Sequence, residues 1–366
     1  MEQKFIPQME PWFGQEEKDE INAYLEEGGW FTEFKKTESF ENSIAQYTKT
    51  KHCIVVNNGT ISLTLAAIAC GIGHGDEVVV PNYTMIATPN SVKMIGAIPV
   101  FVDVEPETLC LDIEKTKNAI TKKTKAVMLV SANGRFPKSG IDAFKKLCQQ
   151  HQLAFIEDAA QSLGSFYPNG KHMGSEGDLG SFSFSAPKII STGQGGCLIT
   201  NNDDLAFKLR RLKDFGRSGG GNDIHHWIGY NFKFTELQAC IGIAQMQKLD
   251  FRVKRKKEIY ALYKECLKPC SKVKLFEQDI VHTTPWFIDS LVEQRKELQE
   301  FLKQNGIGTR IMYPPINKQL AYNETGEFPV SDSIGEKGLW LPSANQLSDN
   351  EVKYICSTIK QFYLNE

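Results

Sequence analysis

The spacing of apolar positions changes along the chain near residue 52. Before it, residues 14–27 and 39–48 carry apolar side chains at helical spacing. After it, short apolar runs alternate with helical segments, predicted over ISLTLAAIACGIG and residues 90–95, 112–120 and 139–151. The predicted strands are CIVVNN, DEVVVP, IPVFVDV, AVMLVSA and LAFIEDA. This order predicts an α/β fold with a mainly parallel sheet between layers of helices.

Ligands of such sheets collect beyond the carboxyl ends of the strands. Gly59 and Thr60 follow the first predicted strand and open a helix, and Asp158 ends the strand LAFIED. A Gly-Thr pair at a helix N-terminus is either an ordinary cap or a phosphate site. A carboxylate after a buried strand needs a partner, either a structural donor or a cationic ligand nitrogen. Gln161 follows Asp158 closely enough to point the same way.

Residues 180–201, GSFSFSAPKIISTGQGGCLITN, frame one lysine between two predicted strands. Ser183 alternates with Phe182 and Phe184 and therefore faces the other side of its strand. Lys188 follows in a short turn before the second strand, residues 197–200. Schiff-base chemistry needs an amine that is placed and partly desolvated. The alternative is a plain turn with an exposed lysine.

Together these motifs place a phosphate cradle, a carboxylate and an amine on one edge of one sheet. Pyridoxal phosphate (PLP) needs an anchor for its phosphate, an anion facing its ring nitrogen and an amine for its aldehyde. The combination is far more specific than any one member. The sequence therefore favours a PLP enzyme.

Composition excludes several other classes of function. The 366 residues are enough for two domains. A net charge of −2 and a pI near 6.4 give no case for nucleic acid. No apolar run is long enough to cross a membrane and no signal peptide is visible, so we expect a cytoplasmic protein. The nine cysteines favour reduced thiols. No metal site is expected, because Cys266 and Cys270 lack further ligands nearby.

Seven segments closely resemble the nucleotide-sugar aminotransferases of the DegT/StrS family, and the resemblance extends from about residue 11 to residue 363. They are VVNNGTISLTLA, GDEVVVPNYTMIAT, IPVFVDV, IEDAAQSLGS, GSFSFSAPKIISTGQGGCLIT, IGYNFKFTELQACIG and IGTRIMYPP.

The resemblance implies the type I PLP-dependent transferase fold, as in aspartate aminotransferase. Its large domain, residues 1–249, would hold a mixed, mostly parallel seven-stranded sheet. A smaller C-terminal α+β domain, residues 250–366, would include FIDSLV and IGTRIMY as strands. Family members are homodimers with active sites at the subunit interface, so we expect the same here.

The resemblance also implies roles in cofactor binding. Lys188 matches the Schiff-base lysine, which would also move a proton between the amino donor and the cofactor. Asp158 matches the partner of the pyridine nitrogen, and Gln161 the residue beside the ring hydroxyl. The phosphate contacts would be Gly59, Thr60 and Ser183, together with Asn231, which reaches the phosphate of the neighbouring subunit.

Three positions depart from the usual family pattern. Met85 stands where an aromatic residue usually covers the cofactor ring, a task that its polarisable sulfur can also perform. Asn133 replaces a tyrosine. Tyr313 and Asn317 are predicted to contact the substrate, and Asn317 replaces a histidine and cannot titrate. We expect these residues near the sugar pocket.

Further substrate contacts are predicted in the first fifty residues and in a glycine-rich loop. Trp30 and Thr32 resemble a family segment that lines the nucleotide-sugar site. Arg217 in FGRSGGG is a candidate for the substrate's diphosphate, with a flexible connector as the alternative. His226 is a candidate for an interface or sugar contact, with a surface role as the alternative.

The resemblance implies transfer of an amino group from L-glutamate, which leaves as 2-oxoglutarate, through pyridoxamine phosphate (PMP) to C4 of a nucleotide-linked 4-keto-6-deoxyhexose. Two alternatives stay open: amination at C3 of a 3-keto sugar, and a PLP-binding sensor without turnover. The related sugar 3-dehydratases carry histidine in place of the lysine, and Lys188 argues against that activity. The sequence leaves the nucleotide and the stereochemistry of the sugar open.

Overall fold

The structure, a computed structural model, describes residues 5–219 and 223–364. Its larger lobe holds a seven-stranded sheet with the order β1-β7-β6-β5-β4-β2-β3. The strands are β1 His52–Val56, β2 Glu77–Pro81, β3 Ile98–Val102, β4 Thr124–Val130, β5 Ala154–Asp158, β6 Leu179–Ser183 and β7 Gly196–Thr200. Strand β7 is antiparallel to both of its neighbours, and all other neighbours pair in parallel. The predicted α/β fold with a mostly parallel seven-stranded sheet is confirmed.

Alternate residues of each central strand enter different cores. On β2, Val79 packs into a core with Phe144, whereas Val78 and Val80 pack into the core on the opposite face with Leu65. Burial on both faces accounts for the nearly continuous apolar strands of a parallel sheet. The helices of this lobe are α1 Gln15–Glu27, α2 Lys35–Thr48, α3 Gly59–Ala69, α4 Ala87–Lys93, α5 Ile113–Ala119, α6 Ile141–His151, α7 Asp203–Lys213 and α8 Glu236–Gln247.

Helix α4 begins three residues earlier than its predicted start at residue 90. A proline disfavours helical geometry in the residue before it, which favours a helix that begins after Pro89. Pro89 lies in the first turn instead, where its missing N–H costs no hydrogen bond. The earlier start brings Thr88 into the helix, close to Asp158.

The second lobe has an antiparallel sheet with the order β10-β11-β9-β8. Its strands are β8 Val273–Leu275, β9 Ile288–Val292, β10 Arg310–Ile311 and β11 Gly338–Leu341, and its helices are α9 Leu249–Leu267, α10 Arg295–Gln304, α11 Pro329–Lys337 and α12 Asp349–Leu364. The predicted division after residue 249 falls at the first residue of α9. The start of the chain also joins this lobe, where Ile6 bridges to Ile307. No helix among the described residues is long and apolar enough to cross a bilayer.

Buried polar contacts join the two lobes. The guanidinium of Arg135, after β4, contacts the carboxylate of Asp289 on β9 at 2.5 Å, and both side chains are almost fully buried. The indole N–H of Trp340 donates to the other oxygen of Asp289 at 2.7 Å. Burial raises the pKa of Asp289, and Arg135 opposes this shift. A buried pair of this kind holds the lobes in one arrangement, because either charge alone would be left without a partner.

We expect Asp289→Asn to lower the free energy of unfolding by about 3 to 5 kcal/mol, because it leaves the buried Arg135 without a counter-charge. Urea denaturation measures the change. The matched control is Glu277→Gln, which breaks the exposed ion pair of Glu277 with Lys264 and should cost less than about 1 kcal/mol. Equal losses in the two variants would contradict the role assigned to the buried pair.

Candidate active site

A cavity of about 520 Å³ opens beyond the carboxyl ends of β1, β5 and β6, between the two lobes. The larger lobe forms its floor, and the second lobe contributes Trp286, Arg310 and Tyr313 to its wall. Eight of the predicted site residues line it: Gly59, Thr60, Met85, Asp158, Gln161, Ser183, Lys188 and Tyr313.

The N-terminus of α3 forms one end of the cavity, against the end of β6. A side chain at Gly59 would bring its Cβ within 2.8 Å of the Cβ of Ser183, so only glycine allows this approach. The Asn58 side chain caps the helix by accepting from the N–H of Ile61 at 2.9 Å. Within the described part of the chain, the N–H groups of Gly59 and Thr60 have no acceptor. Together with the nearby Ser183 hydroxyl, these groups suit an anion, because they lie at the positive end of the helix dipole.

Asp158 lies buried where β5 ends. One carboxylate oxygen accepts from the Thr88 hydroxyl at 2.7 Å, and the other accepts from the N–H of Ala160 at 3.2 Å. Burial raises the pKa of Asp158, while the two hydrogen bonds and the charge of Lys188 oppose the rise. The carboxylate is therefore held in place with capacity left for a cationic partner.

Lys188 lies in a turn that closes through a hydrogen bond from its own N–H to the carbonyl of Ser185 at 3.0 Å. Burial lowers the pKa of its amine, Asp158 opposes this shift and Arg310 adds to it, and together they set the pKa at about 8. With that pKa about a tenth of the amine is unprotonated at pH 7, whereas an ordinary lysine is almost entirely charged. The site therefore supplies a nucleophilic amine near neutral pH.

The backbone of Asn133, one of the residues that depart from the family pattern, orients Gln161. Its side-chain oxygen accepts from the backbone N–H of Asn133 at 2.7 Å, which leaves the amide NH₂ as a donor for the cavity. Asn133 itself is buried, with φ of +53°, a backbone conformation that asparagine tolerates. Its side chain does not enter the cavity but bonds the backbone of Phe287 in the second lobe.

Met85 lies at the rim of the cavity, with 44% of its surface exposed. Its sulfur accepts from the N–H of Ala87 at 3.0 Å. The side chain is placed where it can cover a flat ligand, and its coverage of the cofactor ring stays a prediction.

Besides Asn133, six predicted residues do not line this cavity. Asn317 is buried and exchanges two hydrogen bonds of 2.9 Å with Asn82. Its side-chain oxygen accepts from the side-chain NH₂ of Asn82, and its backbone N–H donates to the side-chain oxygen of Asn82. The other five lie toward the surface of the single chain: Trp30, which is 73% exposed, Thr32, Arg217, His226 and Asn231. Arg217 pairs with Asp223 at 3.2 Å. Gly220, Gly221 and Asn222 of the adjoining loop lie outside the described residues.

Sequence reasoning missed two cavity residues of the second lobe. Arg310 lies in the segment IGTRIMYPP, and among the described residues its guanidinium has no carboxylate partner within ion-pair distance. The indole ring of Trp286 lies 4.2 Å from the amine of Lys188. In the sequence, Arg310 is marked only by the motif in which it lies. No local pattern marks Trp286, because Lys188, which it contacts, is almost one hundred residues away in the chain.

Comparison with known proteins identifies the family. Residues 12–360 match the sequence profile of the DegT/DnrJ/EryC1/StrS aminotransferase family. The chain belongs to this family. It is 36% identical to GDP-perosamine synthase from Vibrio cholerae over 366 residues, which cover 98% of this chain and 99% of that protein.

Solved structures agree with this assignment. S. venezuelae DesV, in complex with a ketimine intermediate, has a TM-score of 0.91 at 28% identity, with 98% of this chain and 99% of DesV covered. Spr1654 from Streptococcus pneumoniae, solved in a PLP form, has a TM-score of 0.91 at 26% identity, with 99% of both chains covered. The protein is thus a PLP-dependent sugar aminotransferase, and the predicted family, cofactor and enzyme class are confirmed.

The residues present in the cavity fit PLP. The amides at the start of α3 and the Ser183 hydroxyl suit a phosphate, and no Cβ intrudes there because residue 59 is glycine. Asp158 provides a buried anion and Lys188 a partly unprotonated amine on the same edge of the sheet. Each chemical group of the cofactor therefore has a matching group in the aminotransferase.

We expect the Lys188 amine of the cofactor-free aminotransferase to titrate near pH 8, because burial lowers its pKa to about that value. Labelling with an amine-reactive anhydride at a series of pH values, read by peptide mass spectrometry, measures the unprotonated fraction. The peptide that carries the exposed Lys254 provides the reference profile. If the two lysines showed the same profile, the cavity would not be lowering the pKa.

Proposed function

We propose that this aminotransferase transfers the amino group of L-glutamate to C4 of a nucleotide-linked 4-keto-6-deoxyhexose. One observation carries the proposal: Lys188 and Asp158 lie in one cavity, in a chain that matches GDP-perosamine synthase over nearly its whole length. That relative's name makes a GDP-linked sugar the first candidate substrate. We expect the product to serve a surface polysaccharide or a glycosylated metabolite.

In this proposal the larger lobe binds the cofactor. Gly59, Thr60 and Ser183 hold its phosphate, Asp158 faces its ring nitrogen, and Gln161 lies beside its ring hydroxyl. When bound, PLP supplies an electron sink that makes an α-proton of the donor acidic. A positive ring nitrogen would also give the buried carboxylate of Asp158 the cationic partner that its burial requires.

Lys188 binds the cofactor and, once free, carries the proton. Its pKa of about 8 lies close to neutral pH, so the amine can take up and release a proton at little cost, as a general base and acid must. Its turn is closed by its own backbone hydrogen bond, which keeps the amine directed into the cavity.

Arg310 is the anchor for an anionic group of the donor. Its guanidinium faces the cavity, with its planar group 5.4 Å from the ring of Trp340. An arginine fork matches a carboxylate with two parallel hydrogen bonds. L-Glutamate carries two carboxylates, so this arginine can select the donor by binding one of them.

We expect a homodimer with shared active sites, which would account for the exposed predicted residues. Trp30 and the segment around His226 expose large apolar side chains, including Trp227 at 45% and Ile228 at 83%. In a dimer these surfaces would be covered, and Asn231 and Arg217 would reach the cavity of the neighbouring subunit. Equilibrium sedimentation measures the assembly.

The decisive experiment follows the absorbance of the PLP-loaded protein while L-glutamate is added. We expect the PLP band to give way to that of pyridoxamine phosphate, and a suitable keto sugar to restore it. A panel of GDP-, UDP- and dTDP-linked 4-keto-6-deoxyhexoses, followed by NMR of the product, identifies the nucleotide and the aminated carbon. Amination at C3 would favour the first alternative, and a band that glutamate leaves unchanged would favour the sensor.

Two variants serve as controls for that experiment. Lys188→Arg keeps a positive charge but cannot form the Schiff base, and we expect no change of the PLP band on addition of glutamate. Asp158→Asn keeps the shape of the side chain, and we expect normal folding with at least a tenfold slower reaction, because the ring nitrogen loses its counter-charge. A wild-type spectrum and rate in Asp158→Asn would refute the role of that carboxylate.

We expect Arg310→Gln to raise the KM for L-glutamate by about ten- to a hundredfold, because it removes a charge-assisted bidentate contact. The KM for the keto sugar should stay within about twofold, because the substitution leaves Tyr313, the predicted substrate contact that lines the same cavity, unchanged. Steady-state kinetics with each substrate varied in turn measures both values. A selective rise in the KM for the sugar would reassign Arg310 to the sugar.

A further inference from the structure

The tryptophan at position 286 makes two separate contacts with the turn that carries Lys188. Its ring lies 4.2 Å from the lysine amine, within the range of a cation–π interaction. Its indole N–H donates to the carbonyl of Pro187 at 2.7 Å, directly before the lysine. The same side chain therefore touches both the charged end of Lys188 and the backbone from which the lysine projects.

A second donor from the same lobe holds the other side of this turn. Arg252 of α9 donates to the carbonyl of Ile189 at 2.9 Å. The carbonyls on both sides of Lys188 thus accept hydrogen bonds from the second lobe. Local sequence alone does not hold the lysine in place, because both donors are distant in the chain.

Trp286 is itself tightly held. Its carbonyl accepts from the amine of the buried Lys256 at 2.8 Å. Its ring stacks on Phe287 with centroids 3.8 Å apart, and the backbone of Phe287 is bonded on both sides by Asn133. Since the side chain is only 4% exposed, Trp286 has little freedom to leave the lysine.

We propose that Trp286 is a positioning residue for Lys188: its ring face receives the ammonium group, and its N–H fixes the turn below. The proposal deepens the proposed function, on which it rests, by naming the group that holds the lysine when it is not bound to the cofactor. A free lysine side chain has four rotatable bonds, and one attractive contact restricts where its amine can lie.

The charged groups that face Lys188 come from different elements. Asp158 at the end of β5 attracts the ammonium group, and Arg310 on β10 repels it. Tyr313 lines the same cavity, and burial raises its pKa, so its hydroxyl stays neutral. The ring of Trp286 stabilises only the protonated amine. Loss of the ring face must therefore lower the pKa of Lys188, whereas entry of water would raise it.

The test measures how labelling of the Lys188 amine by an amine-reactive anhydride depends on pH in the cofactor-free protein. We expect Trp286→Leu, which keeps an apolar contact without a ring face, to shift the Lys188 profile to lower pH by about 0.4 to 1.5 units. Trp286→Phe keeps a ring and should show less than half of that shift. No substrate is present in this measurement. An unchanged Lys188 profile would therefore contradict the role of Trp286 without contradicting the proposed activity, and loss of the proposed activity would leave the role of Trp286 untouched.

Tyr263→Leu is the matched control. Tyr263 is a fully buried aromatic residue of α9 whose hydroxyl donates to the carbonyl of Pro342 at 3.0 Å, and it does not line the cavity. Its loss should destabilise the protein in the same way without moving the Lys188 profile. A shift of equal size in Tyr263→Leu would show that the effect is a general loosening, and would overturn the proposal.

Fluorinated tryptophan provides a test that does not depend on the folding of a variant. Fluorine withdraws negative charge from the ring face and leaves the shape of the side chain nearly unchanged. Wild-type protein made with tryptophan that carries one, two or more fluorine atoms should therefore show a stepwise lower pKa of Lys188. An unchanged profile in both the fluorinated protein and Trp286→Leu would overturn the proposal. A shift to higher pH in Trp286→Leu would do the same, because the ring would then act only by excluding water.

Discussion

The parallel pairing of β4, β5 and β6 is the constraint on which the active site depends. Parallel strands end at the same edge of a sheet, so Asp158 at the end of β5 and Ser183 at the end of β6 lie at one place. The chain then returns through the antiparallel β7, and the turn before it holds Lys188 above that edge. A shift in strand register would separate these groups, and the apolar strands, buried on both faces, oppose such a shift.

The second lobe supplies the remaining groups of the active site. It lowers the pKa of Lys188 through burial and through the charge of Arg310, and it covers the amine with Trp286. Buried polar contacts such as Arg135 with Asp289 keep this lobe in place. Asn133 takes part in the same junction, because its side chain bonds the backbone of Phe287 in the second lobe and its backbone N–H bonds Gln161.

Residues close to the ends of strands were predictable from the sequence. Gly59, Asp158 and Lys188 each follow a strong strand pattern, and the resemblance to a family supplied their chemistry. Asn317 shows what such reasoning leaves out: its position in a motif predicts a sugar contact, and in the single chain its side-chain oxygen accepts a hydrogen bond from the side chain of Asn82. A motif conveys the place of a residue in the chain, and a side chain's partner depends on which distant segment packs against it.

The sequence by itself determined the α/β class, the mostly parallel sheet and the group of residues at its carboxyl edge. These follow from local periodicity and from the geometry that parallel strands impose. Only the tertiary structure decided that Arg310 and Trp286 face Lys188 and that Trp30 and His226 lie away from the cavity of their own chain. The physical reason is that the lowered pKa of Lys188 arises from burial and from charges brought near by packing of the two lobes, and neither is encoded in the spacing of residues along one segment.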